Sequence, residues 1–218
     1  MKYVIHTAPK RLWYVKQYLV PSMIEQDIPR ESIRVWLDDK QLGNLDATMQ
    51  SFLEMTSHGG TWHLQDDVLI CRDFKKQTEQ HDHGVICGFC CSAWPDTAPG
   101  NVKPEDMWYS FQCIRIPNYL AYECAEWFYS TDYRADWRYR KKFDDSFFKK
   151  FLMEQYPEVG VVNLAPNLVD HIDYLIGGTL VNPERKYKIT RAAYFNDADL
   201  VDDLERKLAR KKEGKDDR

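Results

Sequence analysis

The sequence predicts an α/β fold with a mostly parallel central sheet flanked by helices. Three observations predict it. Short β-rich runs alternate with segments of helical apolar spacing through the first half of the chain, as in sheets whose strands are joined through helices. Acidic or polar residues directly follow three of those runs, at strand carboxyl ends, where open α/β sheets bind ligands. The 218 residues are 44% hydrophobic and 29% charged, enough apolar material for a core on both faces of a sheet.

Taken in order, Lys2–Thr7 (KYVIHT) reads as the first strand, broken by Ala8-Pro9-Lys10-Arg11. Leu12, Val15, Leu19 and Met23 then follow helical spacing, with Pro21 expected to kink or end that helix. Ile33–Leu37 (IRVWL) is a second strand, ending in Asp38-Asp39. Leu45, Met49, Phe52 and Leu53 share a face of a helix over Leu45–Met55, which Gly59-Gly60 is expected to close. Thr61–Leu64 is a third strand running into Gln65-Asp66-Asp67-Val68, and the apolar run Gly84–Ser92 reads as a buried strand.

The second half is less regular. Four turn residues, Pro95, Pro99, Gly100 and Pro104, make Trp94–Met107 a loop, and Trp108–Ile116 is a further strand. Asp144–Gln155 is an amphipathic helix with Phe147, Phe148, Phe151 and Leu152 on its apolar face, and Val159–Leu164 is a short strand. Residues 1–198 are expected to form one domain, with 199–218 a charged C-terminal helix and tail whose charges make a solvated face.

A net charge of −4, from 30 basic and 34 acidic residues, argues against a dedicated nucleic-acid binder. No run approaches the roughly 18 apolar residues that cross a bilayer. Met1–Pro9 is too short and too mixed for a secretory leader. The six cysteines read as free thiols of a reducing compartment. The cytoplasm is therefore the expected location, or a host's cytoplasm for a viral chain.

The chemistry concentrates in His63-Leu64-Gln65-Asp66-Asp67-Val68. Two adjacent carboxylates beyond a buried strand repel one another unless a cation lies between them. A hard divalent ion, Mn²⁺ or Mg²⁺, suits oxygen ligands and bridges readily to phosphate. Downstream, Ala165-Pro166-Asn167-Leu168-Val169-Asp170-His171-Ile172 follows a predicted strand and offers one imidazole, a group able to complete a coordination shell. Asp144-Asp145 opens a helix, where acidic residues serve both capping and acid–base chemistry.

Leu64–Val68 resembles the "LEDDV" or "DxD" element of the GT-A glycosyltransferases, and Pro166–Ile172 is similar to their P-x-L-V-x-H segment. Gln65 stands where that element usually has an acidic residue. The resemblance implies a GT-A, Rossmann-like fold and sugar transfer from a nucleoside-diphosphate sugar, a UDP-sugar first, to a hydroxyl of a glycan or a modified DNA base. It implies metal ligation by Asp67, with Asp66 and His171 beside it, Asp66 otherwise facing the donor's ribose. It places Thr7, Ala8 and Arg11 after the first strand, and Asp38 and Asp39 after the second, at the donor nucleotide. It makes Asp145 or Asp144 the general base of an inverting reaction. The basic and aromatic stretch Trp127–Lys142, including Trp127, Arg138 and Arg140, is then the acceptor surface.

Three other readings compete. Interleaved aromatic and basic residues over 127–142 also suit a nucleic-acid-binding module without catalysis. A nucleotidyltransferase would share the carboxylates and the metal, but Thr7-Ala8-Pro9-Lys10-Arg11 lacks the glycines of a triphosphate loop. His81, His83, Cys87, Cys90 and Cys91 carry zinc-ligand types, but the cysteines lie inside an apolar run, where they read as small hydrophobes.

Overall fold

The computed structural model describes residues 2–55, 58–90, 99–108, 111–132, 144–177 and 197–212. Its strands are β1 (Lys2–Thr7), β2 (Ile33–Leu37), β3 (Gly60–Gln65), β4 (Val68–Ile70), β5 (Val85–Cys87), β6 (Gly100–Val102), β7 (Cys113–Pro117), β8 (Val161–Asn163) and β9 (Val169–His171). Its helices are α1 (12–25), α2 (Asn44–Leu53), α3 (Phe74–Gln80), α4 (Asn118–Ser130), α5 (Asp144–Gln155) and α6 (Ala198–Lys212).

Seven strands form one sheet in the order β2-β1-β3-β7-β5-β8-β6. Five of them, β2, β1, β3, β5 and β8, run one way, and β7 and β6 run against them. The expected α/β class and mostly parallel sheet are observed. A separate ribbon pairs β4 with β9, Val68 opposite His171.

Strand alternation divides the core. Tyr3 and Ile5 of β1 and Trp62 and Leu64 of β3 face α1, together with Leu204 and Leu208 of α6. Val4, Ile114, Ile116 and Val161 face the other way, onto Leu45, Met49 and Phe52 of α2, Leu120 and Phe128 of α4, and the four apolar residues expected on α5. The C-terminal helix thus packs into the core through one apolar stripe, with Glu205, Arg206 and Lys207 on its solvent side.

Several expectations are corrected. Of the two outcomes expected at Pro21, a kink or an end, the end does not occur. A π-helical turn at Val15–Leu19 precedes it, and the helix continues through Val20–Glu25. Gly59-Gly60 does not close α2, which ends at Leu53. Gly59, at φ +110°, instead turns the chain into β3, and the Arg115 guanidinium occupies the space a side chain at Gly60 would need.

Among its described residues, 84–90, the run from Gly84 is strand only at Val85–Cys87. Phe89 and Cys90 are apolar because they are buried, not because they extend the ladder. The Cys90 N–H is bound instead by Asn167 Oδ1 at 2.9 Å. The presumed loop 94–107 contains β6, and the stretch after Asp67 contains β4 and α3. Of the zinc candidates, Cys87 and Cys90 are buried, and Cys91 lies outside the described residues. No described helix is long and apolar enough to cross a membrane.

Candidate active site

Register brings the predicted donor residues together. Thr7 pairs with Leu37 and His6 with Gln65, so β1, β2 and β3 end side by side. Thr7, Asp38 and Asp66 therefore emerge at one edge of the sheet. The Asp38 N–H donates to the Thr7 carbonyl at 2.8 Å, fixing the two loops together.

Asp66 is gripped by the loop after β1. Its Oδ2 accepts from Thr7 Oγ1 at 2.8 Å and the Ala8 N–H at 3.1 Å, and its Oδ1 from Arg11 Nη1 at 2.8 Å. The same Arg11 nitrogen donates to Asp67 Oδ2, so one guanidinium bridges both carboxylates. Arg11, Asp66 and Asp67 are 4%, 5% and 3% exposed, which makes this a buried charge cluster rather than a surface ion pair.

His171 completes it. The β4–β9 ribbon and a 2.8 Å bond from the Ile172 N–H to the Asp67 carbonyl bring His171 Nε2 to 3.1 Å from Asp67 Oδ2. The predicted trio Asp66, Asp67 and His171 is thus assembled from segments about a hundred residues apart.

Burial would raise the Asp67 pKa, but His171 and Arg11 outweigh it and hold Asp67 below the ordinary carboxylate range. Burial and the Asp67 charge push Asp66 up despite Arg11 and Thr7. Burial would lower His171, and Asp67 more than offsets that, raising it.

Two carboxylates and an imidazole match Mn²⁺ or Mg²⁺ in kind, and Asp67 Oδ1 is a buried oxygen with no hydrogen-bond partner. Yet among the described residues no three His, Cys, Asp or Glu side chains stand arranged to hold a metal ion. The positive charge between the carboxylates is that of Arg11.

The other donor candidates differ in kind. Asp38 uses both oxygens on its own loop, accepting from the Leu42 N–H at 2.9 Å and the Gly43 N–H at 3.3 Å. It shapes the entry into α2, an Asx-type role. Asp39 is exposed.

The acidic pair opens α5, as expected, and reaches the same end of the sheet. Asp144 is buried. Its Oδ2 accepts from Thr48 Oγ1 at 3.2 Å and Gln65 Nε2 at 3.4 Å, while its Oδ1 caps the Asp145 N–H at 3.0 Å. Asp145 is only partly buried, with Oδ1 on the Ser146 N–H at 2.6 Å. Burial raises both pKa values, and the charge of Asp145 raises Asp144 further. Carboxyls lifted this way are poised for proton transfer near neutral pH.

Trp127 does not form an exposed platform. Its ring packs 5.2 Å from that of Phe147 and 5.7 Å from that of Phe151, joining α4 to α5. Arg138 and Arg140 lie outside the described residues.

Some residues at this edge escape sequence reasoning. Tyr14 donates to the Val68 carbonyl at 2.9 Å beneath the acidic pair, and Gln112 Nε2 donates to Gln65 Oε1 at 3.3 Å. His6 Nε2 and His63 Nδ1 lie 3.0 Å apart one layer below, His63 buried and His6 partly so. Strand alternation offers the one available signal, since it places His6 and His63 on the α2 side of adjacent strands.

No protein-family model and no curated protein matches the chain. Among solved structures it is similar to residues 1–349 of S. aureus TarS, with a TM-score of 0.48 and 15% identity over 81% of this chain and 62% of that one. It is also similar to A197 from STIV, with a TM-score of 0.38 and 13% identity over 78% of this chain and 84% of that one. The chain therefore spans less than two thirds of the TarS structure.

Proposed function

We propose that this chain is a glycosyltransferase of GT-A type, moving a sugar from a nucleoside-diphosphate sugar, a UDP-sugar first, to a hydroxyl of a glycan or a modified DNA base. The observation that carries the reading is convergence. The donor loop Thr7–Arg11, the acidic pair Asp66-Asp67 with His171, and a second acidic pair with raised pKa values meet at the carboxyl end of one sheet.

In this reading the Thr7–Arg11 loop and Asp66 line the nucleotide end of the donor. Asp67 and His171 would hold Mn²⁺ or Mg²⁺, which when bound supplies charge neutralisation for the departing diphosphate. Asp145, the more accessible of its pair, takes the proton from the acceptor hydroxyl as that oxygen attacks the anomeric carbon, which inverts the centre. Asp144 is the positioning partner, fixed by Thr48 and Gln65. Residues 127–142 form the acceptor side.

Thermal unfolding with UDP, GDP and TDP, each with and without Mn²⁺, tests the donor site. A nucleotide at a hundred times its dissociation constant adds about 2.7 kcal/mol. A metal-dependent shift for one nucleotide, lost in Asp67→Ala, is expected. No shift with any of them removes the donor site. Release of nucleoside diphosphate, rather than pyrophosphate, separates sugar transfer from nucleotidyl transfer. Changing Arg138 and Arg140 to Glu tests the acceptor, since loss of transfer to duplex DNA but not to free sugar marks a DNA base.

A further inference from the structure

The cation between Asp66 and Asp67 is part of the chain. Arg11 Nη1 is shared by Asp66 Oδ1 and Asp67 Oδ2, and His171 Nε2 approaches that same Asp67 oxygen at 3.1 Å. Two adjacent buried carboxylates are tolerable because this guanidinium neutralises them.

The anchoring of the two acids is unequal. Asp66 has three donors besides any ligand: Thr7 Oγ1, the Ala8 N–H and Arg11. Asp67 has Oδ1 buried without a hydrogen-bond partner, and its backbone is pinned between β3 and the β4–β9 ribbon. An ion arriving at Asp67 meets a fixed carboxylate and a guanidinium already on it. Strands and ribbon do not yield easily. Arg11 reaches the pair through a long side chain with several rotatable bonds, from the short 3₁₀ turn Pro9–Arg11.

We propose that Arg11 is the resident counter-ion of this pair and competes with a divalent cation for Asp67. When the ion binds, the guanidinium leaves Asp67 and keeps Asp66. The two positive charges cannot share Asp67 Oδ2 at contact distance without strong mutual repulsion. The apo protein thereby avoids bare paired carboxylates, and metal binding is coupled to a movement of the donor loop. This inference rests on the metal reading of the site given above.

The test is Mn²⁺ binding by calorimetry, without donor, to wild type, Arg11→Met and Arg11→Lys. Competition predicts that Arg11→Met binds Mn²⁺ about tenfold more tightly or better, while Arg11→Lys, which keeps the charge, stays within about threefold of wild type. Arg11→Met should also unfold at lower temperature without metal and recover with it. Equal or weaker Mn²⁺ binding by Arg11→Met overturns the proposal.

Wild-type protein gives a second measurement should Arg11→Met not fold. The side-chain NMR signal of a buried, ion-paired Arg11 should shift or broaden as diamagnetic Mg²⁺ is added. Binding of Mg²⁺, seen at Val68 and His171 amides, with the Arg11 signal unmoved overturns the competition and leaves the metal site standing. Absence of binding by either ion to any variant overturns both.

Discussion

Gln65 and Asp144, 79 positions apart in sequence, meet at the carboxyl end of the sheet, where the glutamine amide nitrogen donates to Asp144 Oδ2 at 3.4 Å. Gln65 is the residue immediately before the Asp66-Asp67 pair, and its own oxygen accepts from Gln112 Nε2. The end of β3 therefore touches both candidate halves of the site. A glutamate at 65 would oppose Asp144 with a like charge, whereas the amide neutralises nothing and donates a bond.

Gln65→Glu should accordingly push the pKa of the Asp144-Asp145 pair higher, since a close like charge disfavours the ionised form. The acid limb of the pH–rate profile for nucleoside diphosphate release should move up by about one unit. Nucleotide-induced stabilisation should be retained. An unmoved acid limb removes Gln65 from the environment of the base.

The pair itself makes a second prediction. Asp144 is pushed up to about 7 and Asp145 to about 6, and strongly interacting carboxyls titrate as a unit. A base works only when ionised, so donor turnover should rise with pH through this range and level off above it. Asp145→Asn should cut turnover by about a hundredfold or more, the usual worth of a positioned base, without weakening nucleotide binding. Full activity in Asp144→Asn, in Asp145→Asn and in the double variant rules out both as base.

How much of this was legible in the sequence follows from which interactions are local. α5 matches its predicted bounds at both ends because acidic residues at its start and apolar spacing within it are properties of one segment. β1, β2 and β3 are close for the same reason. β4 and β9 are not legible in the sequence because three-residue strands carry no periodicity of their own, and each pairs with the other alone among the described strands. The members of the acidic cluster were readable as types, but its internal cation was not. The resemblance puts Arg11 at the donor, and nothing in the spacing of residues 11, 66 and 67 says that one guanidinium bridges the two carboxylates.

Two buried groups should pull stability in opposite directions as pH falls. The His6 pKa is lowered to about 4 by burial, and His63 is lowered by burial and by His6. Unfolded histidines take up protons near pH 6.5 while the folded pair does not, so this pair costs stability as pH falls from 6.5 toward 4. His6 alone accounts for on the order of 2 kcal/mol between pH 7 and pH 5. The raised carboxyls of Asp144 and Asp145 act the other way. They are strained when charged, and protonation as pH falls through 7 to 6 relieves the folded state. The wild-type urea midpoint should therefore change little between pH 7 and pH 5. Asp144→Asn with Asp145→Asn should become less stable at pH 5 than at pH 7, and His6→Phe with His63→Phe more stable. If the two double variants show the same pH slope, the assignment of opposing groups fails.

Thr7 offers the cleanest single-atom test of the acidic cluster. Its hydroxyl is one of three donors to Asp66, whose side chain is almost wholly buried. Valine keeps the shape and removes only that donor, and a lost bond to a buried charge costs about 1.5–3 kcal/mol. For a chain of this size that corresponds to a fall in melting temperature of roughly 3–10 °C. Thr7→Ser, which keeps the hydroxyl, should recover most of it. The deficit of Thr7→Val should also narrow as pH is lowered, because Asp66 is already displaced toward protonation by burial and by Asp67, and a neutral carboxyl needs the donor less. Equal deficits for Thr7→Val and Thr7→Ser would assign the loss to packing at residue 7 rather than to the bond to Asp66.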